Sequence, residues 1–124
     1  RMKVFVAHAS NFAFKEKLYA PIRASELNTK HEFWLPQETD EDWVTLDFMR
    51  SCDALVVDVS IPSTGAGIEM GWANALGIPI LGIYEKGSKP SASAEYTTKM
   101  YREYTNPQEM LSVVTAFLST VAAK

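Results

Sequence analysis

The chain has 124 residues, of which 47% are hydrophobic and 22% are charged, and its formal net charge is -3. A chain of this length can bury a substantial core, so we expect residues 1–124 to form a single domain. It has no run of like charges, which excludes the electrostatic footprint of a nucleic-acid polymer or of an anionic membrane as partner. Nor does any apolar run reach the ~18 residues that cross a bilayer, and no signal-peptide pattern is present.

The single cysteine, Cys52, excludes an internal disulfide and favours a reducing compartment, so we expect a cytoplasmic protein. We interpret Cys52 as an inert, packed thiol. Arg1 precedes Met2, and we expect the natural chain to begin at Met2. No residue pattern calls for a metal ion or an organic cofactor, and we expect neither.

Short apolar segments alternate with helical patterns along the chain. Pro21 is expected to kink or split the first helix. Asn106, Pro107 and Glu109 predict a capped start for the last helix. The apolar segments predict strands and the helical patterns predict helices; the strands are expected at 3–8, 32–35, 54–59, 78–84 and 100–104, and the helices at 12–27, 41–51, 66–76 and 107–122.

This alternation predicts a three-layer α/β sandwich with parallel strands and right-handed crossovers. We expect a flavodoxin- or Rossmann-like sheet of five strands in the order 2-1-3-4-5. Such sheets bind ligands beyond the carboxyl ends of their strands, where the strand order reverses. In the expected order, the loops at that point are 8–12 and 60–67.

The segment after the third strand reads SIPSTGAG, from Ser60 to Gly67. Its glycines, Gly65 and Gly67, allow a close backbone approach or a positive φ. With the hydroxyl of Ser63 and the start of the following helix, the segment can form an anion site. It has neither the Walker spacing nor the GxGxxG spacing, and a plain tight turn remains an alternative.

Glu69 is an acid in an otherwise apolar helical segment. At 100° per residue it shares a helix face with Trp72 and Leu76. A carboxylate held near a helix start can act as a nucleophile or can stabilise positive charge, or it can simply satisfy local amides. Gly67, Gly71 and Ala75 form a stripe of small residues that is expected to let this helix lie tightly on the sheet.

The stretch from Pro62 to Ala73, followed by the strand that begins with Gly77 to Ile80, resembles the nucleoside 2-deoxyribosyltransferase family. The shared pattern is P-S-x-G-x-G-x-E-x-G-x-A followed by G-x-P-I. It is most similar to the branch that hydrolyses nucleoside 5′-monophosphates at the N-glycosidic bond. The similarity extends more loosely from Val4 to about Tyr96.

The resemblance implies a role for several residues. Glu69 is the family's glutamate that attacks the anomeric carbon and forms a covalent glycosyl-enzyme. Ser63 and Gly65 fall on positions that hold the 5′-phosphate, next to Gly67 at the helix start. Ser93 falls on a phosphate-binding serine that a neighbouring subunit donates, so the resemblance implies a homodimer or a higher homo-oligomer with a shared site; a helix cap is an equal alternative for Ser93.

The chain also departs from the family pattern. A helical aspartate of the family falls on Thr45, and Asp47 is the nearest acid, so Asp47 becomes the candidate for that catalytic role. The loop HASNF (8–12) lacks the family's Gly-Ser and arginine. His8 can contact a base or a phosphate, or it can be a structural residue at the end of a strand.

Two alternatives to an N-glycosidase or deoxyribosyltransferase follow from these residues. The opening VFVAHAS (4–10) also resembles TIR-type domains, some of which cleave NAD, but those lack the glutamate segment. Thr45, in place of an acid, is compatible with a nucleotide-binding sensor that has lost turnover.

Overall fold

The computed structural model describes residues 1–123, apart from the side chain of Glu41. Five parallel strands form one sheet in the order β2-β1-β3-β4-β5, as predicted. Their bounds are β1 Lys3–Ala7, β2 Glu32–Trp34, β3 Ala54–Asp58, β4 Ile80–Glu85 and β5 Tyr101–Tyr104. Strands β1 and β3 are buried almost throughout, which explains their continuous apolar sequences.

The register of the central strands places the two expected loops at one edge of the sheet. Ala7 at the end of β1 pairs with Val57, and Asp58 at the end of β3 pairs with Ile83 of β4. The chain therefore leaves β1 and β3 side by side, and the strand order reverses between them.

The helices are shorter than predicted in the first half of the chain. The expected helix 12–27 is interrupted at Ser25, whose backbone is extended, and not at Pro21. Pro21 lies in a continuous helical run, directly after a π-helical segment that continues into it through the hydrogen bond from the N–H of Ala20 to the carbonyl oxygen of Lys15. The expected helix 41–51 is reduced because Thr45 has an extended backbone. The helical elements are a π-helical segment Lys15–Tyr19, α1 Ala20–Ala24, α2 Leu27–Lys30, α3 Leu46–Arg50, α4 Thr64–Ala75 and α5 Pro107–Leu118, with short 3-10 segments at Pro36–Glu38, Glu41–Trp43 and Ala92–Tyr96.

Helices cover both faces of the sheet and give two separate core clusters. On one face, α1 and α5 pack over β1, β3 and β4 through residues such as Ile22, Val114 and Phe117. On the other face, α3 and α4 contribute Met49, Met70 and their neighbours. The three-layer sandwich is thus confirmed.

The small-residue stripe on α4 does not contact the sheet. Gly67, Gly71 and Ala75 are exposed, and a Cβ added at either glycine would meet no atom within 4 Å. Ala66, Met70 and Ala73 face the core instead. The expectation that the stripe packs on the sheet is wrong, because both faces of the helix carry small residues and the sequence pattern alone did not distinguish them.

Cys52 is fully buried, in agreement with a packed thiol. Within residues 1–123, no helix has the length and apolar character needed to cross a membrane.

Candidate functional site

A cavity of about 520 Å³ opens at the carboxyl ends of the strands, between the start of α4 and the segment 91–97. Its volume is in the range of small-molecule sites. Both sides of the cavity carry hydroxyl groups among apolar side chains. The lining residues are Asp58, Val59, Ile61, Pro62, Ser63, Thr64, Ala66, Gly67, Met70, Ser91, Ser93, Ala94, Tyr96 and Thr97.

Ser63 is the N-cap of α4, and its Oγ accepts a hydrogen bond from the N–H of Ala66 at 3.3 Å. The helix therefore begins at Thr64, two residues earlier than predicted. Gly65 and Gly67 lie within its first turns, and neither has a positive φ. The glycines thus form open helical backbone beside the cavity, and of the two expected possibilities, close approach and positive φ, the second applies to neither.

The start of α4 has the features of an anion site. The first N–H groups of a helix have no acceptor within the helix, so those of Thr64 and Gly65 are directed toward its N-terminal end. The Ser63 hydroxyl can donate a hydrogen bond to a ligand while its oxygen accepts from Ala66.

Ser93 reaches this cavity from the segment after β4. It lies in the 3-10 segment Ala92–Tyr96, and its Oγ is 2.8 Å from the Oγ of Ser91. Both serines are exposed residues that line the cavity of their own chain. The structure therefore brings Ser63, Gly67 and Ser93 together within one subunit.

Glu69 lies on α4 but outside the lining of this cavity. It is half-buried, and at 100° per residue its direction differs by about 60° from that of Ala66, about 100° from that of Met70 and about 160° from that of Gly67. It shares its face with Trp72 and Leu76, which pack on the core cluster that α3 also contacts. Glu69 thus lies on the same side of α4 as Ala66, which lines the cavity, although the carboxylate itself does not.

His8 is buried at the end of β1, and both ring nitrogens contact protein atoms. Its Nδ1 is 2.8 Å from the carbonyl oxygen of Ala9, and its Nε2 is 2.6 Å from the hydroxyl of Tyr19. Its ring stacks on Phe14 with the centroids 4.3 Å apart. The structure places His8 in an internal network and outside the cavity.

Asp47 is not brought to the cavity either. Its side chain is 91% exposed and forms an ion pair with Arg50, with 2.6 Å between Oδ1 and Nη1. Thr45 accepts a hydrogen bond from the N–H of Phe48 and caps α3. Because α3 starts only after Thr45, the first turn of this short helix carries Asp47 outward, and its expected catalytic role has no support in this arrangement.

Asp58 is the residue at this site that the sequence analysis missed. It is 2% exposed, ends β3 and lines the cavity. Its Oδ2 accepts a hydrogen bond from the Tyr104 hydroxyl at 2.5 Å, and its Oδ1 accepts one from the N–H of Ser60 at 2.9 Å. Burial raises the pKa of Asp58, although these hydrogen bonds oppose the change. The available signal was an acid at the end of the buried segment ALVVD, beside the switch point.

Comparison with known proteins agrees with the family resemblance seen in the sequence. No family model matches the chain. Over 55 residues it is 42% identical to a protein of Syntrophotalea carbinolica named "Putative 2'-deoxynucleoside 5'-phosphate N-hydrolase 1". The matched stretch is 44% of this chain and 35% of that relative's length. The resemblance predicted from the sequence is confirmed.

Solved structures show the same fold at low sequence identity. The CMP N-glycosidase of Clostridium botulinum superposes with a TM-score of 0.65 and 20% identity, over 91% of this chain and 98% of the other. A conserved protein of Enterococcus faecalis V583 gives 0.62 and 16%, over 93% and 98%. The 2-deoxyribosyltransferase of Bacillus psychrosaccharolyticus gives 0.58 and 16%, over 87% and 89%.

Proposed function

We propose that this chain cleaves the N-glycosidic bond of a nucleoside or of its 5′-monophosphate. The observation that carries the proposal is the position of Glu69, on the helix that starts at the switch point of the sheet, three residues after Ala66, which lines the cavity on the same side of α4. The names of the relative and of two structural neighbours support the same reaction class.

In the proposed mechanism, a carboxylate oxygen of Glu69 attacks the anomeric carbon. The C–N bond breaks, its electron pair leaves with the base, and the base takes up a proton. Water, which gives hydrolysis, or a second base, which gives transfer, then attacks the same carbon and loses a proton to solvent, while the C–O bond of the glycosyl ester breaks and the carboxylate of Glu69 is regenerated. Two displacements at one carbon retain its configuration.

The start of α4 is proposed to hold the 5′ end of the ligand. Ser63 contributes its hydroxyl, and Gly65 and Gly67 expose backbone that a ligand can approach closely. Ser93 contributes a second hydroxyl from across the cavity. A helix N-terminus with added hydroxyl donors can bind phosphate without arginine, which fits a chain whose loop 8–12 has none.

Assembly is the second part of the proposal. Glu69 is not among the residues that line the cavity with Ser63 and Ser93, so one subunit does not gather all the proposed groups around a single cavity. We propose a homodimer in which the partner completes the cleft, as an isologous contact does in two-fold dimers. Residues 1–124 form one domain of each subunit in this proposal.

The decisive experiment is chromatography of nucleosides and their 5′-monophosphates after incubation with the protein. The wild type is expected to release free base, and Glu69→Gln is expected to abolish release while keeping ligand affinity within about tenfold, since the loss is in the transition state. Glu103→Gln, at an exposed acid on β5, is the matched control. Full turnover by Glu69→Gln would exclude this nucleophile.

A substrate analogue with fluorine at the sugar 2-position tests the covalent step. The fluorine slows breakdown of the glycosyl ester, so mass spectrometry is expected to find the sugar on a peptide that contains Glu69. Modification of a different carboxylate would overturn the assignment.

One observation favours a second function, that of a nucleotide-binding sensor. Thr45 caps α3 and Asp47 points into solvent, so the helical acid that assists the reaction in the family has no equivalent in the cavity. Tight nucleotide binding without release of base over hours would identify this function.

A further inference from the structure

Asp58 is a buried carboxylate that the proposed mechanism does not use. It is one of three buried polar residues among those described, together with His8 and Ser60. Burial of a carboxylate is unfavourable unless hydrogen bonds replace its water. The buried carboxylate of Asp58 lies at the end of the central strand. Its hydrogen bonds therefore indicate a structural role.

The hydrogen bonds of Asp58 hold the turn that leads from β3 to α4. Its Oδ1 accepts from the N–H of Ser60 two residues later, which closes an Asx-type turn. The Ser60 hydroxyl in turn accepts from the N–H of Glu85 at the end of β4, at 2.8 Å. The first residues of the turn are thus fixed to Asp58 on one side and to β4 on the other.

Tyr104 connects the same carboxylate to the far edge of the sheet. It is fully buried in β5, and its hydroxyl donates to Oδ2 of Asp58. Glu85 is held from the other direction by Lys17 of the π-helical segment, with 2.8 Å between Nζ and Oε2. The network therefore joins β3, β4, β5 and the first helical region beneath the turn.

We propose that Asp58 and Tyr104 are positioning residues, which fix the turn 59–63 and so set where Ser63 and the start of α4 stand relative to the ligand. The consequence for catalysis rests on the proposed function; the consequence for the turn does not. Neither residue is a catalytic residue in this proposal, since both act through Ser60.

The ionised form of Asp58 is the one that accepts both hydrogen bonds. Tyr104 from β5 and Ser60 from the turn donate hydrogen bonds to it. The negative charge of Glu85 on β4 disfavours this ionised form, and Glu85 itself forms an ion pair with Lys17. Protonation places a hydrogen on one oxygen and disrupts one of the two contacts. These hydrogen bonds favour the ionised form and oppose burial, which is the larger effect and raises the pKa of Asp58.

Tyr104→Phe is the sharpest test, because it removes one hydroxyl and keeps the ring. Amide exchange followed by NMR is expected to be at least about tenfold faster at Ser60 and Glu85, with the core amides of β1 unchanged, as local opening predicts. Tyr84→Phe is the matched control, since the Tyr84 ring packs on Tyr101 and is outside this network. Unchanged exchange at Ser60, or equally faster exchange throughout the sheet, would overturn the proposal.

Base release provides the second readout. Tyr104→Phe is expected to raise KM for a 5′-monophosphate about tenfold with kcat changed less than about threefold, because Ser63 is displaced, and to move the acid limb of the pH profile upward, because Asp58 loses a donor that stabilises its charge. An acid limb that does not move would count against the positioning role. Ser60→Ala is the second variant, expected to speed exchange at Glu85 alone. If no substrate is cleaved by any variant, the proposed function fails, and the exchange data still decide the role of Asp58.

Discussion

Ser63 has two roles that substitution can separate. Its oxygen accepts from the N–H of Ala66 and caps α4, while its hydrogen is available to a ligand in the cavity. The side chain of Asp58, five residues earlier, accepts a hydrogen bond from Tyr104 and also lines the cavity. At the scale of single residues, Ser63 and Asp58 therefore each hold the backbone and also face the cavity.

Ser63→Ala is expected to raise KM for a 5′-monophosphate by an amount equivalent to about 1–3 kcal/mol, because a hydrogen bond to a charged group is lost. Loss of the cap is expected to lower the free energy of unfolding by about 1 kcal/mol. Ser63→Asp keeps a capping oxygen but adds a negative charge, so it is expected to preserve stability and to weaken the monophosphate further. Steady-state kinetics with a nucleoside and its monophosphate distinguish these effects; an equal loss for both substrates would rule out phosphate contact.

Asp58→Asn tests the stability effect of the buried charge. Because burial raises the pKa of Asp58, the folded state binds this proton more tightly than the unfolded chain does. The resulting stability is present below the ordinary carboxyl pKa and is lost as the pH rises through the raised value. Asp58→Asn has no carboxylate to ionise and does not lose this stability. Above the raised pKa, its free energy of unfolding is therefore expected to exceed that of the wild type by about 1.4 kcal/mol for each pH unit between the folded and unfolded pKa of Asp58. Urea unfolding at several pH values measures it, and a constant difference would contradict the expectation.

At the scale of elements, α4 presents different chemistry on each of its sides. Met70 and Ala73 face the core, Gly67 and Met70 border the cavity, and Glu69 lies on the side that carries Trp72. The exposed side has Gly71, which lowers helix stability. A Cβ added at Gly71 would meet no atom within 4 Å. This side therefore has room that the folded subunit itself does not use.

Gly71→Ala is expected to increase the free energy of unfolding by about 1 kcal/mol, as the difference in helix propensity predicts. Thermal unfolding is expected to shift upward by about 4 °C. Gly77→Ala is the contrasting control, because Gly77 has a φ of 72° and alanine there is strained. A destabilised Gly71→Ala, with a weaker dimer in sedimentation equilibrium, would show instead that a neighbouring subunit covers this side.

At the scale of the whole molecule, Ser93 poses the question of which subunit it serves. It lines the cavity of its own chain, next to Ser63. The family resemblance assigns the matching serine to a neighbour. Only the assembly distinguishes a site within one subunit from a site shared by two.

Subunit complementation separates these cases. Glu69→Gln and Ser93→Ala homodimers are both expected to be impaired, and their mixture, after denaturation and refolding, forms heterodimers. If Ser93 acts on the partner's site, one site of each heterodimer is intact, and about a quarter of wild-type activity is expected to return, because half of randomly mixed dimers are heterodimers. No recovery above the two parents would place Ser93 in its own subunit's site.

The sequence by itself determined the sheet. Continuous β-branched segments such as 54–58 are stable only when covered on both faces, and their alternation with helices permits little besides a parallel sheet with right-handed crossovers. The position of α4 after the central strand, and with it the place of Ser63 and Glu69, followed from the same pattern.

The tertiary structure decided what each side of those elements touches. Helical periodicity fixes the angle between Glu69 and Gly67 but does not say which of two small-residue faces meets the core. The pairing of Asp58 with Tyr104 joins residues 46 positions apart, and the exposure of Asp47 depends on where α3 begins. Such contacts arise from packing between distant segments, and local sequence patterns carry no information about them.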